Sequence, residues 1–316
     1  MNPARPRVAC LMGPTGAGKT AMALWLAARL PIEIVSVDSA LVYRGMDIGT
    51  AKPNPAQRAR VPHHLIDCCW PEDGHSVAQF IARATDAIEA IRARGRIPLL
   101  VGGTGLYFRR LEQGIADIPP VPPAVRAEVA GDLERLGSDA LHAELSRVDP
   151  ASAARIHPHD PQRLTRALEV FRASGRPMSG FLAEAAGTGW PLAKFVLAPP
   201  ARRDLDQRLE TRFHLMLERG FLGEVRVLRQ RPGLTAEHAA MRAVGYREAW
   251  AYLAGELERP DMVSKAIQAT RQYAKRQYTW FRGEAGARWF DAAQPSTRDR
   301  LLDLVQQAAR ATSDGV

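Results

Sequence analysis

The chain has 316 residues, 46% hydrophobic and 24% charged, so it can bury a sizeable core and need not be disordered. No apolar run approaches the roughly 20 residues of a membrane-spanning helix, and the first apolar stretch is too short for a signal-peptide core, so no membrane partner is expected. Lys+Arg 43 against Asp+Glu 34 gives a net charge of +9, which favours a polyanionic partner without specifying one.

Residues 8–12 read as a short buried strand, 13–19 as a glycine-rich turn and 20–30 as a helix of alanines and leucines. A second β-rich run, 32–37, ends at Asp38. An amphipathic helix follows over 77–94, and a third strand, 97–101, stops at Gly102-Gly103-Thr104. Strands alternating with helices imply a parallel sheet. The segment IADIPPVPP holds four prolines and marks a boundary, after which the pattern is helical to about residue 192. KFVL at 194–197 returns to a strand, and the remainder is helical. The expected fold is therefore α/β: a P-loop NTPase-like parallel sheet core from residues 1–115 and 194–316, interrupted by an all-helical lobe over 116–193.

Gly13-Pro14-Thr15-Gly16-Ala17-Gly18-Lys19-Thr20 matches GxxxxGK[ST] between a strand and a helix, the context this phosphate loop requires. Glycines let backbone N–H groups converge on phosphate oxygens, Lys19 adds a point charge, and Thr20 can hold Mg²⁺. The strand PLLVGGT lacks the metal-binding acid of a Walker-B strand and no NKxD motif occurs, which disfavours a GTPase. Asp38 and Thr104 follow the carboxyl ends of strands, where ligands bind in open α/β sheets. Asp38 could bind metal, take a proton from a nucleophile, or cap the next turn.

The segment 271–282, RQYAKRQYTWFR, carries four basic residues, no acid, and the aromatics Tyr273, Tyr278, Trp280 and Phe281. On a helix Arg271, Lys275, Tyr278 and Arg282 share a face suited to an RNA backbone; the competing reading packs the aromatics into the core. Arg208 and Arg212, four apart, could reach an anion or form surface ion pairs. His63, His64, Cys68 and Cys69 lack a second ligand pair and are assigned structural roles. With Cys10 the thiols total three, an odd number that fits a reducing cytoplasm.

Several long motifs together resemble one family, the bacterial tRNA dimethylallyltransferases: GPTGAGKT at 13–20, VDSALVYRGMDIGTAKP at 37–53, PHHLID at 62–67, LLVGGTGLYF at 99–108, RIHPHDPQRLTRALEV at 155–170, VGYRE at 244–248 and TRQYAKRQYTWF at 270–281. The resemblance implies transfer of a dimethylallyl group from dimethylallyl diphosphate to the exocyclic amine of the adenosine 3′ of the anticodon, in tRNAs reading codons that start with U. It implies that Gly13, Thr15, Gly16, Ala17, Gly18, Lys19, Thr20 and Arg212 bind the diphosphate. Mg²⁺ would sit at Thr20. Lys19, Arg212 and Thr104 would serve the leaving group, and Asp38 the attacking amine.

Contacts to the anticodon stem-loop are implied at Asp38, Ser39, Ala40, Leu41, Thr104 and Arg126, and at Gln162, Arg163, Leu164, Thr165 and Arg166. They continue at Arg242, Ala243, Val244, Gly245, Tyr246 and Arg247, and at Lys275, Arg276, Gln277, Tyr278, Thr279, Trp280, Phe281 and Arg282. The helical lobe would clasp the tRNA, and a monomer is expected. The loop departs from many relatives at Gly16-Ala17, which removes a side-chain hydroxyl at residue 17, and no cysteine and histidine finger follows Asp291, which indicates the bacterial form. Two other functions fit the loop alone: a P-loop kinase of a small metabolite, and an RNA-binding module with a vestigial phosphate site.

Overall fold

The computed structural model describes residues 7–184 and 189–310; residues 1–6, 185–188 and 311–316 of the expected core and lobe lie outside the described residues. In chain order the elements are β1 (Val8–Met12), α1 (Lys19–Ala27), β2 (Ile32–Val37), α2 (Pro55–Arg60), β3 (His63–His64), α3 (Val77–Ala93), β4 (Ile97–Gly102) and α4 (Gly105–Gln113). Then come α5 (Pro123–Val148), α6 (Pro150–Ala153), α7 (Pro161–Ser174) and α8 (Met178–Glu184). The chain ends with β5 (Leu192–Leu197), α9 (Arg202–Glu218), α10 (Phe221–Arg229), α11 (Tyr246–Leu253), α12 (Arg259–Arg282), β6 (Arg288–Phe290) and α13 (Ser296–Arg310). Two compact units result: one runs to Arg110 and resumes at Trp190, and the other is Leu111–Gly189. Among the described residues no helix is long and apolar enough to cross a membrane.

The first unit holds a six-stranded sheet in the order β3-β2-β4-β1-β5-β6, with every neighbouring pair parallel. This is the α/β architecture expected. VACLM and IEIVSV are buried along their whole length, as strands covered on both faces must be. β1 lies between β4 and β5, with Cys10 opposite Leu100 on one side and Lys194 on the other. One charge inside the sheet, Glu33, is 4% exposed and is satisfied by Arg94, Arg96 and His64.

Four differences from the sequence reading have physical causes. β3 and β6, of two and three residues, extend the sheet at its edges and are too short to show any alternation. β5 begins at Leu192, so the helical pattern stops before that residue. α1 starts at Lys19 because Gly18, at φ 90°, ends the loop, and it finishes at Ala27 before the turn into β2.

All regular secondary structure among the described residues of the second unit is helical. Pro123 and Pro161 open α5 and α7 at positions where no N–H is needed. Asp160 caps α7 by accepting from the Arg163 N–H, and Gly175 at φ 69° ends it. α5 breaks at Gly137, φ 80°. Val129, Leu141, Leu145, Leu164 and Leu168 form its core. Arg172 on α7 joins the lobe through Glu128, Asp132 and Glu144 of α5.

Candidate active site

The phosphate loop forms because β1 delivers the chain to a place where only glycine fits. A Cβ on Gly13 would lie 2.1 Å from the Leu197 carbonyl oxygen of β5, and its φ of 149° lies where side chains are strained. The loop then feeds the N-terminus of α1, where free N–H groups attract anions. Lys19 folds back so that Nζ donates to the carbonyls of Gly13 and Pro14, both at 2.8 Å. Burial pushes the Lys19 amine down to about 8, with Asp38 pulling up and Arg212 adding to the depression. Ala17 is buried, with its N–H donating to Pro14 O at 3.3 Å.

Asp38 stands at the carboxyl end of β2. Its Oδ1 accepts from the N–H groups of Ala40 at 2.8 Å and Leu41 at 3.3 Å, so one oxygen caps the turn. Among the described residues no hydrogen bond reaches Oδ2. The neighbouring β4 ends in glycines because a Cβ on Gly102 would lie 2.0 Å from Val37 O. That close approach lets Thr104 Oγ1 accept from the Ser39 N–H at 3.2 Å, beside Asp38. Arg212 of α9 donates to Thr15 Oγ1 at 3.3 Å, and burial lowers its affinity for the proton.

Two cavities meet at these groups. One, of about 130 Å³, is lined by Gly16, Thr20, Ser36, Leu41 and apolar side chains; the other, of about 340 Å³, by Ser39, Ala40, Phe213, Tyr246, Tyr273 and the residues 242–245. Thr15, Lys19, Asp38, Thr50 and Arg212 line both. The smaller cavity brings together the hydroxyl of Thr20, the carboxylate of Asp38 and the buried Ser36 hydroxyl, which has no hydrogen-bond partner among the described residues. Hard oxygen donors in this number suit a small divalent cation that keeps waters and substrate oxygens as its other ligands. Among the described residues no cluster of three or more His, Cys, Asp or Glu could hold a metal by itself.

The expected RNA-contacting residues divide between the units. In the first, Arg242, Ala243, Val244, Gly245 and Arg276 line the larger cavity, and Arg247, paired with Glu248, lines a groove beyond it. Lys275, Thr279 and Arg282 are exposed on α12. Tyr278 donates to Pro199 O at 2.8 Å and stacks on Trp289, while Trp280 lies against Gly105 and under Arg109. In the second unit Arg126, Gln162, Arg163 and Arg166 are exposed, with Arg163 paired to Asp160 and Arg166 to Glu169, and Thr165 is half-buried.

Four of the residues expected to contact RNA have buried side chains. Leu164, Tyr246 and Phe281 are fully buried, and Gln277 is 6% exposed. The helical period turns Gln277 and Phe281 to the inner face of α12 and Leu164 to the inner face of α7, so these side chains are committed to packing or internal bonds. Tyr246 borders the larger cavity, yet its hydroxyl donates to Glu224 Oε1 at 2.5 Å.

That glutamate is a residue sequence reasoning missed. Its carboxylate also accepts from the N–H groups of Asp47, Ile48 and Gly49, holding the loop that brings Thr50 to both cavities. Tyr273, which the sequence offers as an RNA-facing or core aromatic, lines the larger cavity; burial raises its phenol, and its contact with the Thr104 side chain pulls the other way. No local motif marks Glu224.

A family model described as IPP transferase matches residues 41–284. A tRNA dimethylallyltransferase of Xanthomonas axonopodis pv. citri is 54% identical over 308 residues, covering 95% of this chain and 94% of the relative. The crystal structure of the full-length tRNA isopentenylpyrophosphate transferase of Bacillus halodurans is similar, with TM-score 0.71, 35% identity and 98% of each chain covered. A eukaryotic dimethylallyltransferase captured acting on tRNA superposes with TM-score 0.78 at 28% identity, over 96% of this chain and 77% of that one. None of these similarities favours the small-metabolite kinase. A phosphate loop without a Walker-B acid, an aspartate at the end of β2 and relatedness over nearly the whole length converge on one conclusion: the chain belongs to the IPP transferase family.

Proposed function

We propose that the protein transfers a dimethylallyl group from dimethylallyl diphosphate to the exocyclic amine of the adenosine 3′ of the anticodon, in tRNAs reading codons that start with U. The observation that carries this reading is the shared wall of the two cavities, where Lys19 and Arg212 stand beside Asp38. An allylic diphosphate leaves as an anion when its C–O bond breaks, and the phosphate-loop N–H groups, Lys19 and Arg212 meet that charge as it develops. An aromatic amine is a poor nucleophile; the Asp38 carboxylate orients it and accepts its proton as the C–N bond forms. Hydrolysis of a nucleotide plays no part, which accounts for β4 ending in Gly102-Gly103-Thr104 rather than an acid.

Mg²⁺, held by Thr20 with Asp38 and Ser36 nearby, would neutralise charge on the diphosphate when bound. The target base leaves its stack to reach a buried diphosphate, as base-modifying enzymes require. The exposed cations of α12, the groove beside Arg247, and Arg126 and Arg166 of the helical lobe offer contacts to the RNA backbone. One chain supplies every residue named, consistent with a monomer. Three cysteines free of disulfides fit the cytoplasm, where tRNA is available.

The test is direct. Purified protein is incubated with unmodified tRNA, labelled dimethylallyl diphosphate and Mg²⁺, and the RNA nucleosides are resolved by mass. Prenylated adenosine is expected; label absent from RNA, with ATP consumed in the absence of tRNA, would indicate a kinase instead.

A further inference from the structure

Gln277 does not face solvent. Its Oε1 accepts from the Thr15 N–H at 2.9 Å, and its Nε2 donates to the Gly103 carbonyl at 2.8 Å. A carboxamide offers an acceptor and a donor at one end of one side chain, and both are used here on backbone groups. The partners belong to the two loops that bound the site: Thr15 to the phosphate loop, and Gly103 to the turn that carries Thr104. A Cβ on Gly103 would lie 2.3 Å from Nε2, so the bare backbone at that position is what admits the amide.

The connection continues beyond the amide. Thr104 accepts from the Ser39 N–H, and Ser39 adjoins Asp38. A single path of short contacts therefore runs from the phosphate loop through Gln277 to the β4 turn and on to the carboxylate. The Thr15 N–H is spent on Gln277 and the Ala17 N–H on Pro14 O, which leaves the amides of Gly16, Gly18 and Lys19 for phosphate oxygens.

We propose that Gln277 is a positioning residue that locks the phosphate loop to the Thr104 turn, holding the leaving diphosphate and the Asp38 carboxylate at a fixed separation. The proposal rests on the transfer reaction argued above. It differs from a role in touching RNA, because the amide is buried and both of its polar atoms are already bonded within the protein. Reacting groups displaced by about 1 Å lose rate by about a hundredfold, so a clamp on the two loops acts chiefly on the chemical step.

Full-length Gln277→Leu and Gln277→Glu proteins test it. Affinity for inorganic diphosphate with Mg²⁺ is read by calorimetry, which requires no transfer, alongside tRNA affinity and the transfer kinetics. Gln277→Leu is expected to weaken diphosphate binding about tenfold and lower kcat about a hundredfold, with tRNA affinity within about twofold of the parent. Gln277→Glu keeps the acceptor for Thr15 but sets a carboxylate against the Gly103 carbonyl. Its deficit relative to the parent should shrink as pH falls, because a protonated carboxyl restores the missing donor; a residue that merely fills space gives no such profile.

Unchanged diphosphate affinity in both variants overturns the clamp, and so does a loss of tRNA affinity alone or a pH-independent deficit in Gln277→Glu. Should the leucine variant fail to fold, the glutamate variant decides the matter through its pH profile. Should the parent protein transfer nothing to tRNA, the proposed reaction falls, while diphosphate binding still decides whether Gln277 orders the loop.

Discussion

The Arg172 site of the helical unit and the phosphate-loop site of the sheet unit treat their buried cations in opposite ways. In the helical unit Arg172 meets Glu128 and Asp132 at 2.7 Å and Glu144 at 2.9 Å; burial works against its charge, but the carboxylates outweigh it and raise its proton affinity. In the sheet unit Lys19 and Arg212 are also drawn inside, yet no carboxylate of the described residues forms an ion pair with either, and burial lowers both. The first arrangement is complete without a ligand. The second leaves positive charge desolvated and only partly offset by the nearby Asp38, a condition under which an incoming polyanion gains affinity. The contrast is one of site rather than of unit: Lys52 and Lys194 of the sheet unit are buried and paired with Asp47, Asp67 and Glu284, whereas Lys19 and Arg212 have Asp38 nearby but no ion pair among the described residues.

The sharpest way to break this contrast is Lys19→Met. Lys19 bonds only to two carbonyls of its own loop, so the variant is expected to fold. Transfer should fall at least ~10³-fold, as when a preorganised donor to developing negative charge is removed. Because burial holds the folded-state amine near 8 against 10.5 for the free side chain, the unfolded chain binds more protons between those values. Below about pH 8 the buried charge therefore works against folding, and Lys19→Met should melt no lower than the parent there. A large drop in melting temperature with transfer retained would make Lys19 a structural residue like Arg172.

Asp38→Asn comes next in size. Asparagine keeps the Oδ1 acceptor for the Ala40 and Leu41 N–H groups, so the turn should persist while the charge is lost. Transfer is expected to drop about 10²-fold or more, with tRNA affinity nearly unchanged. Removing the anion also takes away the one influence that raises Lys19, so its amine should titrate lower still. Unchanged transfer would take Asp38 out of the chemistry and leave it as the cap of its turn.

How much of this was legible in the sequence depends on the range of the interactions. β1 and β4 are apolar runs, and β2 and β5 are β-rich runs that each carry one buried charge, Glu33 and Lys194; these strands announce themselves, as does a phosphate loop written in eight consecutive residues. The residues that align the site do not. Gln277 acts on Thr15 across 262 positions, and Glu224 acts on Ile48 across 176. In the sequence, Gln277 sits among arginines and aromatics that read as an RNA-binding face; only the rotation of α12 shows that this residue points inward while Lys275 and Arg276 point out. Gly103 reads as half of a glycine pair, and its use, admitting an amide to its carbonyl, appears only in three dimensions.

The depressed lysine gives a smaller, graded effect. Diphosphate bound beside Lys19 favours its charged form, so binding takes up a proton once the free protein has begun to lose it. The Lys19 contribution to affinity for inorganic diphosphate, read as the parent minus Lys19→Met, should therefore be flat below about pH 8 and weaken above it, approaching tenfold per pH unit. Calorimetry in two buffers of different ionisation heat reads the proton uptake directly. In Lys19→Met the residue's contribution to this slope should vanish.

The smallest expected effect lies in the other unit and concerns stability alone. Arg172→Met keeps the length of the side chain against α5 but strands Glu128, Asp132 and Glu144 together, exchanging attraction for repulsion. Breaking a fully buried pair costs 3–5 kcal/mol, but this network is partly solvated, so a loss of about 1–2 kcal/mol is expected, read from thermal or urea unfolding at neutral pH. Hydrogen bonds from Arg172, and then from Arg135, hold the Asp132 carboxyl below its ordinary value. Such a group stabilises the fold fully above its unfolded-state value, and that contribution is lost as pH falls through the lower folded-state value. The gap between Arg172→Met and the parent should accordingly close in acid, where the carboxylates no longer need a partner. A gap that persists unchanged to low pH would mean that Arg172 acts through packing of its aliphatic stem, and the contrast between paired and unpaired cations would then rest on the sheet unit alone.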